Sequence, residues 1–176
     1  LGQIILKRAE LKKKLKTAKK SADKNVLKAR SYALKTLANS FYGYLGFFGA
    51  RWYSVESARS TTAYARDYIQ KTIKKAEERG FEVCYSDTDS CFLLLGDKDQ
   101  DEALKFMDEV NKDLPGEMEL EFQGYYPKGI FVPQKSSDKG AKKKYALLSS
   151  DDNMKIIGFE MVRRNWSQIG KEVQEE

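Results

Sequence analysis

The stretch FEVCYSDTDSCFLLLG, residues 81–96, sets two aspartates, Asp87 and Asp89, between two short apolar runs. Carboxylates placed so close repel each other unless a cation or a strong donor holds them. Their hard oxygens suit Mg²⁺, and two-metal chemistry on phosphates needs carboxylates that bridge ions about 3.5–4 Å apart. Two aspartates alone make a poor centre of that kind, and a lone Asp-x-Asp is usually a structural turn or a chance match. A second polar set lies earlier in the chain. Ser31, Lys35 and Asn39 follow one another at four-residue steps and Tyr42 comes three later, so one helical stripe carries all four. Arg8 and Lys12 are also four apart. If their helix runs antiparallel to the second, Arg8, Lys12 and Lys35 can converge on a triphosphate, Arg as a fork and Lys as a point charge. Spacing alone does not separate such a clamp from ordinary surface lysines.

The elements that would position these residues follow from periodicity. Residues 3–18 read as a helix, with Ile4, Ile5, Leu11 and Leu15 (and Leu1 and Ala18) on one side. A polar turn, KKSADKN, offers Ser21 or Asp23 as a cap for a second helix over 25–44, and the two should pack as an antiparallel hairpin. Gly43, Gly46 and Gly49 read as a bend among aromatic residues. A third helix is expected over 57–79, stopped by Gly80. FEVCYS, a turn at Asp87-Thr88, and DSCFLLL then form a β-hairpin, with Val83, Tyr85, Leu93 and Leu95 on one face. A short amphipathic helix over 100–113 ends before Pro115 and Gly116. Strands are expected at 118–122, 129–133, 143–149 and 155–160, and a final helix within NWSQIGKEVQEE. A helical hairpin followed by helices and mostly antiparallel strands makes an α+β fold.

Composition narrows the chemistry. The 176 residues contain no histidine and two cysteines, which rules out imidazole catalysis and argues against a Cys/His zinc site. Cys84 and Cys91 flank the acidic turn and read as buried, reduced thiols. No apolar run approaches the roughly 20 residues of a membrane span. Residues 1–35 hold 12 Lys/Arg against 2 Asp/Glu, whereas the rest of the chain is mildly acidic. The net charge of +6 is thus a basic arm on an acidic body. Such an arm suits nucleic acid or a triphosphate, although a generic lysine-rich helix is more often a solvated face.

Taken together, the motifs resemble family B DNA polymerases, the archaeal ones in particular. ALKTLANSFYGYLG (33–46) resembles the fingers motif Lys-x-x-x-Asn-Ser-x-Tyr-Gly, and YSDTDS (85–90) the palm motif Asp-Thr-Asp. KKKY (142–145) resembles a primer-template contact, and RRNW (163–166) a further signature, with Asn165 where Asp is usual. The order is the family's and covers essentially the whole chain. The resemblance implies a fingers hairpin at 1–48 and the C-terminal part of a palm at 49–176, ending where a thumb would start. Asp89 would hold two Mg²⁺ ions, with Asp87 beside it in a weaker or indirect role. Arg8, Lys12, Lys35, Asn39 and Tyr42 would bind the incoming dNTP. Gly43, Lys142, Lys143 and Tyr145 would meet the primer-template DNA. Glu119 and Glu121 either add palm acidity or edge a solvent-facing strand. Gln123 stands where relatives often carry another acid.

One family element is absent: the palm segment Asp-x-x-Ser-Leu-Tyr-Pro, which carries the other catalytic aspartate. The expectation is therefore half of a polymerase site, inactive in DNA synthesis alone. It would be completed by a larger subunit or fragment with the exonuclease, N-terminal and remaining palm parts, sharing the metal ions. A small subunit of a naturally split polymerase, truncated or not represented at its thumb, is the favoured origin. A fragment of a single-chain enzyme is the other. Apolar faces and open sheet edges should make association tight. Work on DNA in the cytoplasm or nucleoid of an archaeal cell follows, without a membrane. The rival reading is a non-catalytic nucleic-acid-binding or scaffold subunit, with steep salt dependence and no need for divalent metal.

Overall fold

A computed structural model describes residues 1–18, 20–134 and 137–175. Lys19, within the expected polar turn, and Glu176, at the end of the expected last helix, lie outside the described residues. The elements run α1 (Gly2–Thr17), α2 (Ser21–Gly46), α3 (Val55–Glu78), β1 (Glu82–Asp87), β2 (Ser90–Leu94), α4 (Gln100–Asp113), β3 (Lys128–Gln134), β4 (Ser137–Leu148), β5 (Met154–Ile157), a 3₁₀ turn (Glu160–Val162) and α5 (Gln168–Glu175). This is the α+β mixture the sequence pattern calls for. The chain forms two compact units, Leu1–Tyr68 with Val110–Glu119, and Ile69–Glu109 with Leu120–Glu176. Among the described residues no helix is long and apolar enough to cross a membrane.

In the first unit α1 packs against α2 across a short connection. Ile4, Leu11, Leu15 and Ala18 of this first segment are half-buried, as their spacing requires, whereas Leu1 and Ile5 are exposed. On α2 the half-buried stripe is Leu27, Ser31, Leu34, Ala38 and Leu45. Two expectations fail here. The helix begins at Ser21, capped by Lys20 without a side-chain hydrogen bond, so neither Ser21 nor Asp23 acts as the cap. It also runs straight through Gly43 to Gly46. A glycine inside a helix costs only about 1 kcal/mol, too little to break a helix of 26 residues. The chain leaves the helix at Phe47 instead, and Ser54 starts α3, its Oγ accepting the Ser57 N–H at 3.3 Å.

In the second unit the end of α3 is fixed by a Schellman motif. The Phe81 N–H donates to Ala76 C=O and the Gly80 N–H to Glu77 C=O, both at 2.9 Å, with Gly80 at φ 75°. That motif turns the chain directly into β1. β1 and β2 form an antiparallel pair, and β3–β4–β5 an antiparallel sheet. A capping box opens α4: Asp99 Oδ1 accepts the Glu102 N–H at 2.8 Å, and Glu102 Oε2 accepts the Asp99 N–H at 3.2 Å. Phe106 then places its ring 5.5 Å from that of Phe81, both buried.

The two sheets are joined by four rings, one from each of the first four strands. Tyr85 (β1), Phe92 (β2), Phe131 (β3) and Tyr145 (β4) have centroids 5.1–5.9 Å apart. A bulge at Cys84 makes this possible. Val83 pairs with Leu93 but Tyr85 with Phe92, which breaks up the expected face of Val83, Tyr85, Leu93 and Leu95. Other expectations are corrected as well. Residues 118–122 alternate like a strand but enter neither sheet, since a strand exists only where a partner edge receives its ladder. β5 stops at Ile157 and residue 160 opens the 3₁₀ turn; the last helix starts only at Gln168. The thiols are free, but Cys84 is exposed and Cys91 half-buried rather than buried.

Candidate active site

The acidic tip is held more tightly than a two-residue loop would be by itself. Asp87 pairs with Ser90, so the loop is Thr88-Asp89, one residue later than expected. Thr88 sits at φ 57°, a region a β-branched residue rarely enters. The Asp87 carbonyl accepts twice, from the Asp89 N–H at 2.7 Å and from Ser90 Oγ at 3.1 Å. Ser86 Oγ donates to the Ser90 carbonyl at 3.0 Å. Non-glycine residues held at positive φ cost of order 1–3 kcal/mol and persist only where the surroundings over-determine them. Here the effect is to present Asp89 at a fixed, exposed point.

Asp87 is anchored from β4. Lys143 Nζ lies 2.6 Å from Asp87 Oδ2, and Thr88 Oγ1 donates to Oδ1 at 3.1 Å. The Lys143 backbone N–H donates to Tyr85 Oη at 2.7 Å. The Lys143 side chain is 64% exposed and that of Asp87 23%. The ammonium bond, opposed by partial burial and helped by Thr88, holds the Asp87 carboxyl below its ordinary range; the same bond raises the Lys143 ammonium. Lys143 is itself at φ 58°. Its neighbour across the sheet is Gly158, at φ 74°, where an added Cβ would lie 1.7 Å from the Lys143 carbonyl oxygen. Only a bare Cα fits against that kinked backbone. Lys144 points elsewhere, binding both Glu160 oxygens at 2.8 and 3.1 Å. The Tyr145 ring belongs to the four-ring joint, and burial raises its phenol. Lys142 is exposed. KKKY and YSDTDS, 56 residues apart at their closest pairing, therefore form one constellation.

The Asp89 carboxylate makes no hydrogen bond or ion pair among the described residues, and no three acidic or thiol groups there converge on one point. One open and one tethered carboxylate on a strained, fixed tip are hard oxygen donors of the kind a divalent cation takes, and the described residues bring no third beside them.

In the first unit Lys35, Asn39, Tyr42 and Gly43 are all exposed, with Tyr42 at 47%. Tyr42 is thus not core. Ser31 has rotated toward the half-buried face, as the 40° drift of a four-residue step demands. Arg8 is half-buried, and its Nε is buried without a hydrogen-bond partner among the described residues. Lys12 Nζ bonds Glu119 Oε1 at 2.8 Å, so Glu119 serves as a counter-ion within this unit. Glu121 is exposed. Sequence reasoning named the two aspartates and the helical stripe as candidates. It missed the Asp87–Lys143 bond and the role of Gly158, because nothing local in the sequence ties positions so far apart.

Comparison with known proteins places the chain in a family. Residues 1–176 match the family model described as DNA polymerase family B. A DNA polymerase of Thermococcus gorgonarius is 44% identical over 179 residues, covering 99% of this chain and 22% of the relative. DNA polymerase 1 of Pyrococcus abyssi (strain GE5 / Orsay) is 42% identical over 178 residues, with the same two coverages. The solved structure of the family B DNA polymerase from the hyperthermophilic archaeon Pyrobaculum calidifontis superposes with a TM-score of 0.67 at 27% identity, covering 98% of this chain and 23% of that one. The chain thus spans about a fifth of the length of the relatives it matches.

Proposed function

Because the chain belongs to DNA polymerase family B, we propose that it supplies the fingers hairpin (1–48) and part of the palm (49–176) of a DNA-directed DNA polymerase. The observation that carries this reading is the convergence of YSDTDS and KKKY: Asp89 is left open while Lys143 and Tyr145 brace the strand beneath it. Asp89 would hold the divalent ions, Mg²⁺ in the cell, with Asp87 beside it. Those ions would neutralise the charge that develops on the transferred phosphoryl group. A complementary segment, on the same polypeptide or on a partner, brings the further palm aspartate. It also brings the exonuclease and N-terminal parts.

The residues of this chain bind and orient. The exposed stripe offers Lys35 as a point charge to the triphosphate, with Asn39 and Tyr42 beside the base pair it forms. Arg8 and Lys12 add positive charge on α1. Gly43, Lys142, Lys143 and Tyr145 meet the primer-template duplex. The working place is the DNA of an archaeal cytoplasm.

Primer extension tests this. The chain is assayed with Mg²⁺ and dNTPs alone, then with a family B segment that ends just before the fingers and with a thumb restored; Asp89→Ala is the control. Synthesis only in the mixture, lost in Asp89→Ala while salt-dependent DNA binding persists, is the expected result. Association without synthesis in any mixture would favour the binding or scaffold role.

A further inference from the structure

The Asp87–Lys143 bond sits awkwardly with a turn that must receive cations. An ammonium 2.6 Å from Asp87 Oδ2 neutralises one of the two carboxylates and repels any dication approaching the other. Yet Lys143 is poorly committed to that carboxylate. Its side chain is 64% exposed, and exposed ion pairs are weak because water and salt compete for both partners. Its backbone, by contrast, is firmly set by Tyr85 Oη and by Gly158. Such a lysine can change partner without the strand moving. A phosphate backbone is the competitor it would meet, since polyanions concentrate cations at their surface.

We propose that Lys143 is a partner-switching positioning residue: in the DNA-free chain its ammonium occupies Asp87, and an arriving duplex draws it away, opening Asp87 beside Asp89 to a divalent cation. This rests on the reading that the acidic turn takes metal and that Lys143 meets the duplex. The consequence is positive coupling. DNA raises metal affinity at the turn, and by reciprocity metal raises DNA affinity. An ungated turn would collect cations whether or not a template was present.

The test is Mn²⁺ binding to the full chain, read by electron paramagnetic resonance of the free ion, without and with a short duplex. Uptake by the duplex alone is subtracted. The variants are Lys143→Met, Lys143→Arg, Asp87→Asn and Asp89→Asn. Removing a unit charge next to a dication changes affinity by about tenfold. Lys143→Met should therefore bind Mn²⁺ about tenfold more tightly without DNA and gain nothing further from the duplex. The unaltered chain and Lys143→Arg should start weak and tighten with DNA. Asp87→Asn should cancel the gain of Lys143→Met when the two are combined. Unchanged or weaker Mn²⁺ binding in Lys143→Met overturns the switch, as does a duplex that raises its affinity as much as the unaltered chain's. A different pattern marks failure of the underlying reading: Asp89→Asn binding Mn²⁺ normally, or Lys143→Met binding duplex normally.

Discussion

Two residues decide how the site is held, and each makes a prediction. Gly158 is the more demanding. A Cβ there meets the Lys143 carbonyl oxygen at 1.7 Å, and φ 74° is costly for any other residue. Gly158→Ala should destabilise the chain by about 2–4 kcal/mol in urea unfolding, the sum of overpacking and a left-handed non-glycine residue. Gly43→Ala is the contrast: that glycine is inside α2 with nothing within 4 Å of a Cβ. It should stabilise by about 0.5–1 kcal/mol. Equal effects from the two would mean that Gly158 has room to give. Tyr145 sets an alkaline limit. Burial, reinforced by Tyr85 and Asp87, raises its phenol above the ordinary value, so the fold prefers the neutral form. Its contribution is complete below the unfolded pKa of about 10 and is lost as pH rises through the folded value. The urea midpoint should fall above about pH 10, and less steeply in Tyr145→Phe. Identical pH profiles would place the alkaline loss in other groups.

Elements were legible where the signals were local. α4 runs over 100–113 as its amphipathic pattern and Pro115-Gly116 indicate, and the structure adds a capping box at its start. Asp99→Ala should cost about 0.5–2 kcal/mol and Asp99→Ser most of it regained, measured by thermal unfolding. No loss would mean that packing of Phe106 alone defines the start. The end of α3 was equally plain from Gly80. What failed needed non-local knowledge. The MELEF alternation at 118–122 shows that a segment could be two-faced, yet only a neighbouring edge makes it a strand. The bulge at Cys84 shifts the hairpin faces by one residue, and no sequence period announces it. The site shows the same split. Asp87, Asp89 and the Lys35–Asn39–Tyr42 stripe are read from spacing, but the clamp from Lys143 exists only once β4 lies beside β1. A two-stranded β1–β2 sheet is marginal alone; the four-ring joint is what lets it carry a strained, charged tip.

For the molecule as a whole, exposed apolar surface is the dominant fact. Neither α1 nor α2 contains a buried residue. Leu37, Phe41 and Tyr44 form an exposed stripe on α2 at spacings of four and three, and Phe48 follows it at 82% exposure. Ile169 and Val173, four apart on α5, are also exposed. Scattered exposed apolar residues are ordinary in monomers, whereas stripes at helical spacing mark surfaces that meet something. On the function proposed above, the surfaces these stripes meet are the remaining polymerase parts, the chain spanning 22% of the length of the relative from Thermococcus gorgonarius. The isolated chain should therefore bind the apolar dye ANS strongly and self-associate with rising concentration in light scattering. Adding the complementary polymerase segment should suppress both, through an interface above about 2,000 Å². Salt should weaken that association little, because apolar burial rather than charge drives it. A chain that stays monomeric and dark with ANS would mean its own residues cover these stripes. A complex that dissolves at moderate salt would move the attraction to the basic arm of residues 1–35 instead.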